Sequence, residues 1–262
     1  MPYAGVTEYA TAFSNSPSSA HTIALNSTFM TDANNAVGVV GDGGYVHIML
    51  LHENDFKEND TLLLMPETTA GFVGSADGAR FSTMEDSTSA NRPAIILKAA
   101  DGSTISTMNP AGTGNLDDGY FFAASTVLGG DAVDCRNSTA ASSINQTITS
   151  GLTGHARISF FGTVSYVIYR MFLSFNIGSL SGSTATIVSA DLKLNQWANQ
   201  TGFLPIGSTK KTHVCKVTSV GSGWVVADYN NLDNWRSSDT YEAEEGDAPA
   251  VTHNANFFGS NF

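Results

Sequence analysis

The sequence is poor in charge and in long apolar runs. Charged residues make up only 14% of the chain, well below the quarter or so that is usual in soluble proteins. Gly, Ser, Thr and Asn stand in their place, and they favour turns and polar sheet faces over long amphipathic helices. No apolar run approaches the roughly 20 residues of a membrane-spanning helix, so no membrane partner is expected.

The charge that is present is mostly negative. The 24 acidic residues outnumber the 12 Lys and Arg residues, and the formal net charge is −12. Binding to a nucleic-acid backbone needs a basic surface, so the sequence predicts no nucleic-acid partner. An acidic surface favours solubility and suits a particle that is exposed to salt.

Cysteine is also scarce, with Cys135 and Cys215 the only two. They could be buried free thiols or could close one disulfide in an oxidising compartment, but they are too few for a disulfide framework. Residues 1–19 lack the basic start and the apolar segment of a secretory signal. We therefore expect either a processed product or a chain made and assembled in a cytoplasm without secretion, as for a virus particle protein.

Alternation of apolar and polar residues is the commonest pattern in the chain, and it indicates β-strands. Gly-rich turn signals, such as GDGG at 41–44, separate the strands. Many short strands with turns at regular intervals are typical of a β-sandwich or barrel. The clearest predicted strands are 45–51, 94–98, 158–161, 164–169, 211–217 and 224–229. A helical turn is predicted at 27–36, with Thr31 or Asp32 as its cap.

Residues 169–194 (YRMFLSFNIGSLSGSTATIVSADLKL) place an apolar strand on each side of a Gly/Ser-rich turn. Every second residue from Met171 to Phe175 shares one face of the first strand, and Ala190 begins an Ala-x-Leu-x-Leu run in the second. This segment resembles the core hairpin of the DNRLRE-type jelly-roll domains, which are similar to carbohydrate-binding modules. The family has an aspartate where this chain has Asn176, so a role for that carboxylate does not carry over.

Two further segments resemble the same family. Residues 223–235 (GWVVADYNNLDNW) are similar to its Trp strand and the loop that follows, and residues 80–98 are similar to its final segment. In that final segment an aromatic strand leads to Arg-Pro and a last apolar strand. The matching positions are Phe81, Glu85, Arg92, Pro93, Ile95 and Leu97.

The order of these segments is the reverse of the family's order. We predict an all-β fold, one composite jelly-roll β-sandwich over residues 1–262, with closing strands in 1–101, a linker at 102–119, and opening strands and an acidic tail in 120–262. Circular permutation gives such an order where termini lie close together. The alternatives are strand exchange between neighbouring chains and two small sandwiches at 1–101 and 120–262.

Catalytic motifs are not recognisable in the chain. HExxH, G-x-S-x-G, P-loop and G-x-G-x-x-G patterns are all absent from the sequence, so we predict that the protein is not an enzyme. His47, His52 and Glu53 lie near a predicted strand end and leave a hydrolase as a third hypothesis.

The segment HENDFKEND at 52–60 is the best candidate for a metal site. Asp55, Asn59 and Asp60 could offer oxygen ligands to a structural calcium ion. Their spacing is not that of an EF-hand, and a solvated acidic loop is the simpler interpretation. Apart from this calcium ion, the sequence predicts no cofactor.

Sugar binding would need exposed aromatic rings with polar neighbours. Trp197 and Trp235 lie in polar surroundings (NQWANQ and DNWRSS), and Tyr229 precedes an Asn-Asn pair. These three residues are the candidate carbohydrate-binding residues. Trp224 alternates with Val226 and is predicted to lie in the core.

Composition, the lack of a signal sequence and the family resemblance together predict a structural or adhesive component of a virus particle. A bacteriophage head decoration, fibre or tail-associated protein fits, located in the virion and bound to other virion proteins and to copies of itself as a homo-oligomer. The alternative is a carbohydrate-binding module of a secreted polysaccharide-degrading protein, which would bind a surface glycan.

Overall fold

The structure is an all-β sandwich of two antiparallel sheets, which confirms the predicted fold class. The computed structural model describes residues 6–15, 19–56, 73–111, 118–125, 135–136, 138–160, 163–181, 185–197, 211–218, 220 and 223–234. The strands in these ranges are β1 (Phe13–Ser14), β2 (Ala20–Ala24), β3 (Tyr45–His52), β4 (Val73–Ser82), β5 (Ala94–Lys98), β6 (Thr104–Met108), β7 (Asp118–Ser125), β8 (Ser143–Asn145), β9 (Ser150–Phe160), β10 (Thr163–Asn176), β11 (Ser189–Asn195) and β12 (Lys211–Lys216). The helices are α1 (Ser27–Ala36) and α2 (Glu53–Phe56), with short 3₁₀ helices at Asp42–Gly44, Ser89–Asn91, Ile177–Leu180 and Val226–Asn230.

The larger sheet has eight strands and is organised around β10. Its main path runs β1-β12-β3-β10-β7-β8, and β9 pairs with both β10 and β4. One edge of β10 pairs with β7, and the other pairs first with β9 and then, from Met171 onward, with β3. The smaller sheet has four strands in the order β2-β11-β5-β6.

The main core lies between the two sheets. Met171, Leu173 and Phe175 of β10 are fully buried there, opposite Leu192 and Leu194 of β11. The prediction that these residues share one face of each strand is therefore confirmed. Helix α1 closes one side of this core with Phe29 and two alanines.

A second core covers the other face of the larger sheet. Met49 and Leu51 of β3 and Phe172 of β10 pack there against Trp224 and Tyr229, which come from the segment after β12. The larger sheet is thus a middle layer, buried on both faces. Burial on both faces explains why β3 reads as a nearly continuous apolar run.

The predicted hairpin at 169–194 is wrong. β10 belongs to the larger sheet, whereas β11 belongs to the smaller one and pairs with β2 and β5. The turn between them carries the chain from one sheet to the other. Amphipathic alternation predicts a strand and its buried face, but it does not identify the strand's partner.

Three other predictions meet a different local structure. Residues 226–230 form a 3₁₀ helix instead of the end of a strand, and the Asp228 carboxylate accepts a hydrogen bond from the Val225 amide. Helix α1 is capped by Asn26, whose side chain accepts from the amides of Thr28 and Phe29. The segment predicted as a linker at 102–119 contains β6 and the start of β7.

Strands from the first 101 residues pair directly with strands from beyond residue 119 in both sheets. β3 lies between β10 and β12, and β5 pairs with β11. Cys135 and Cys215 are both buried free thiols. Among the described residues, no helix is long and apolar enough to cross a membrane.

Candidate binding surface around Trp197

Trp197 lies immediately after β11, at the margin of the smaller sheet. Its backbone amide donates a hydrogen bond of 2.9 Å to the carbonyl of Arg80, and the preceding Gln196 forms a β-bridge with Phe81 of β4. These contacts join the end of β11 to β4 of the larger sheet. The Trp197 side chain is half-buried and retains contact with solvent.

The indole of Trp197 is held in one orientation by a buried hydroxyl. Its Nε1 donates to Ser82 Oγ over 2.8 Å, and Ser82 Oγ donates to Asp86 Oδ2 over 2.7 Å. Both Ser82 and Asp86 are buried. This chain of hydrogen bonds reduces the entropy that the ring would lose on binding a ligand.

Asp86 is in turn fixed by the loop that follows β4. Its carboxylate accepts hydrogen bonds from the Thr88 amide at 2.8 Å and from the Asn91 side chain at 3.5 Å, while its carbonyl accepts from Arg92 Nε at 3.0 Å. Burial acts to raise the pKa of Asp86. The hydrogen bonds from Ser82, Thr88 and Asn91 and the charge of Arg92 act to lower it, and their combined effect is larger than that of burial. The pKa therefore lies below its usual range, and the group remains an acceptor at neutral pH.

Polar groups surround the ring of Trp197. The guanidinium carbon of Arg80 lies 5.9 Å from the ring centroid, and the Asn195 side chain donates to Ser82 Oγ over 3.4 Å. An oriented aromatic ring beside hydrogen-bonding side chains can stack against the apolar face of a sugar and bind its hydroxyls. We call Trp197, Arg80 and Asn195 the Trp197 surface; the buried Ser82 and Asp86 support it from below.

The other two predicted sugar-binding residues do not join this surface in the described structure. Tyr229 is 0% exposed, and its ring lies 4.0 Å from the guanidinium carbon of Arg170 in the second core. A fully buried ring has no face to offer a ligand, so the prediction for Tyr229 is corrected. Trp235 lies outside the described residues.

Asp55, predicted as a calcium ligand, is instead the partner of a buried arginine. Arg170 Nε donates to Asp55 Oδ2 over 2.7 Å and Arg170 Nη2 donates to Oδ1 over 2.9 Å. Arg136 Nε lies 3.9 Å from the same carboxylate. Asn59 and Asp60 lie outside the described residues, and those that are described contain no cluster of three or more acidic, His or Cys side chains suited to a metal.

The remaining donors of Arg170 reach the layer that covers the second core. Nη1 donates to the Tyr229 carbonyl over 2.8 Å and to the side chain of Asn230, and Nη2 reaches the Arg136 carbonyl at 3.4 Å. Such saturation is what a buried guanidinium requires. Alternation along β10 places Arg170 on the face opposite Met171 and Leu173. Arg170 is the one charged residue of β10, and a single charge in an otherwise apolar strand indicates a buried ion pair.

The fold separates two of the residues behind the hydrolase hypothesis, His47 and His52. His47 and His52 lie an odd number of residues apart on β3, so their side chains leave opposite faces. His47 Nδ1 lies 2.8 Å from Ser174 Oγ, whereas the His52 ring packs 5.2 Å from that of His155. Glu53 accepts a hydrogen bond from the Lys211 amide over 2.9 Å.

Comparison with known proteins adds no assignment, because no protein family model, curated protein sequence or solved structure matches the chain. The resemblance to DNRLRE-type domains therefore stays a prediction.

Proposed function

We propose that the protein is a non-enzymatic structural or adhesive component of a virus particle, such as a bacteriophage head decoration, fibre or tail-associated protein. It acts as a scaffold: a rigid three-layer sandwich presents loops and strand edges to neighbouring proteins. Its place is the virion, and its partners are other virion proteins and further copies of itself.

The observation that carries this proposal is the arrangement of Arg170. Its guanidinium links the middle sheet to Asp55 on α2 and to the carbonyl of Tyr229 in the covering layer. The buried ion pair of Arg170 and Asp55 thus helps to hold the layers together. The acidic, Gly/Ser/Thr-rich composition supports the same interpretation, because it suits a soluble particle surface.

Two measurements test the proposal. Light scattering of the purified protein at several concentrations should give the mass of a symmetric oligomer. An antibody against the protein should then label particles isolated by density gradient from the source culture. A monomer that is absent from such particles would contradict the proposal.

The Trp197 surface favours a second candidate function, carbohydrate binding. A glycan array should then show binding that is lost in Trp197→Ala. Lys193→Ala is the matched control, because Lys193 is an exposed residue of β11, the strand that Trp197 follows. Absence of binding by the unmodified protein would remove this candidate and leave the structural role untouched.

A further inference from the structure

The outer edge of β2 is an open hydrogen-bonding edge of the smaller sheet. β2 pairs with β11 along its whole length, from Ala24 opposite Asp191 to Ala20 opposite Asn195. In the part of the chain that the structure describes, no strand pairs with its other edge. Alternate amides and carbonyls of β2 therefore point away from the sheet, and no described residue pairs with them.

β2 lacks the features that normally protect such an edge. It contains no proline, no charged residue and no register shift. The opposite edge strand, β6, does have a register shift, between Leu97 and Lys98 of its partner. Of the two open edges of the smaller sheet, β2 is thus the one available for regular pairing.

Charge makes a second copy of this chain the best occupant of that edge. The chain carries a net charge of −12, so most of its surface repels another copy. β2, however, lies in an uncharged stretch over residues 9–31, between Glu8 and Asp32. Two copies can meet there without opposing carboxylates.

Side chains also allow the approach. Ala20, Thr22 and Ala24 are exposed on the outer face of β2, whereas Ile23 faces the core. Antiparallel pairing of two identical strands about a two-fold axis at Thr22 places Thr22 opposite itself and Ala20 opposite Ala24 of the second copy. Cross-strand threonine pairs contribute favourably to such ladders.

We infer that β2 pairs antiparallel with β2 of a second copy, which joins the two smaller sheets into one continuous sheet of eight strands. This inference rests on the self-association in the proposed function and names the surface responsible for it.

The first test is the oligomeric state of two matched variants. Thr22→Lys places like charges opposite each other at the axis and should weaken the dimer about tenfold or more. Thr107→Lys makes the same change at an exposed position of β6 and should leave the dimer intact. Circular dichroism checks that both variants fold, and the mass is measured by light scattering over a dilution series.

The second test is cross-linking. Under oxidising conditions Thr22→Cys should form a disulfide-linked dimer, because facing Cβ atoms of paired strands lie near disulfide distance. A mixture of Ala20→Cys and Ala24→Cys should cross-link more than either variant alone. The native thiols are buried, and Thr107→Cys is the control.

The outcomes separate the inference from the proposed function. A monomeric unmodified protein overturns both the β2 pairing and the self-association. An oligomer that is insensitive to Thr22→Lys, or that gives no Thr22→Cys cross-link, overturns the β2 pairing alone. Selective loss of the dimer in Thr22→Lys together with the cross-link supports the inference.

Discussion

The guanidinium carbon of Arg170 lies 4.0 Å from the centre of the Tyr229 ring, and both side chains are 0% exposed. Arg170 comes from the central strand β10, whereas Tyr229 belongs to the 3₁₀ helix of the covering layer. The contact therefore joins two layers across 59 residues of sequence. One side chain, Arg170, makes an ion pair, a cation–π contact and hydrogen bonds to backbone carbonyls. Its removal should therefore destabilise the packing of both layers.

Replacement of Arg170 by methionine should destabilise the protein by about 3–5 kcal/mol, because the buried Asp55 carboxylate loses both of its hydrogen bonds from Arg170 and keeps, of its described contacts, only the 3.9 Å contact with Arg136. The free energy of unfolding is measured by urea denaturation. Lys193→Met is the control, since a substitution at an exposed site changes stability by about 0.5 kcal/mol or less.

A double variant separates the charge from the packing. Arg170→Met combined with Asp55→Leu removes both members of the hydrogen-bonded pair and leaves Arg136 as the remaining buried charge; it should be more stable than Arg170→Met alone. If the double variant is less stable than the single one, the loss comes from packing or from Arg136 and not from the Asp55 carboxylate.

The hydroxyl of Tyr229 suggests a stabilising substitution. Among the described residues, no hydrogen-bond partner lies within reach of this buried hydroxyl. Tyr229→Phe removes an unsatisfied polar group and should leave stability unchanged or raise it by about 1 kcal/mol.

Tyr9→Phe is the matched comparison for Tyr229→Phe. The Tyr9 hydroxyl donates to Asp32 over 2.8 Å, so its loss should destabilise the protein by about 1 kcal/mol. The two thermal midpoints should therefore move in opposite directions, or only that of Tyr9→Phe should fall. Equal losses in both variants would mean that the Tyr229 hydroxyl has a partner in solution.

The alternation of apolar residues in the sequence predicts the strands and their faces, but not how the strands pair. It identifies which residues share a face of β10 and of β11, because side chains alternate along any strand. It does not show that β10 and β11 belong to different sheets, since that depends on β3 and β5, which are far away in sequence.

Trp197 and Tyr229 illustrate the same limit for the candidate site. Both precede or follow polar residues, yet only Trp197 is half-exposed, because its indole is fixed at the sheet margin by Ser82. Tyr229 is buried because the 3₁₀ helix turns it toward Arg170. Local polarity therefore did not distinguish a surface ring from a core ring.

The two thiols should be unreactive in the folded protein. Both cysteines are buried, and burial raises the pKa of Cys215 well above its usual value, with the carboxylates of Glu8 and Asp55 adding to the effect. Thiolate is the reactive form, so a chromogenic disulfide reagent should label neither cysteine until denaturant unfolds the chain. Fast labelling of the native protein would contradict the burial of these residues.

Acid should destabilise the protein through His47, which contacts Ser174 and the ring of Trp224. Burial lowers the pKa of His47 from 6.5 to about 4, so the unfolded chain binds a proton more readily than the folded one between these values. The stability contributed by neutral His47 is therefore complete above about pH 6.5 and declines as the pH falls toward 4, by about 3 kcal/mol in all. Trp224 Nε1 already donates to Ser174 Oγ over 2.7 Å, which leaves the serine proton to be donated to neutral His47.

Urea denaturation at several pH values measures how the free energy of unfolding changes with pH, and His47→Asn should flatten this slope between pH 6.5 and 4. An unchanged slope in His47→Asn would assign the acid sensitivity to other groups.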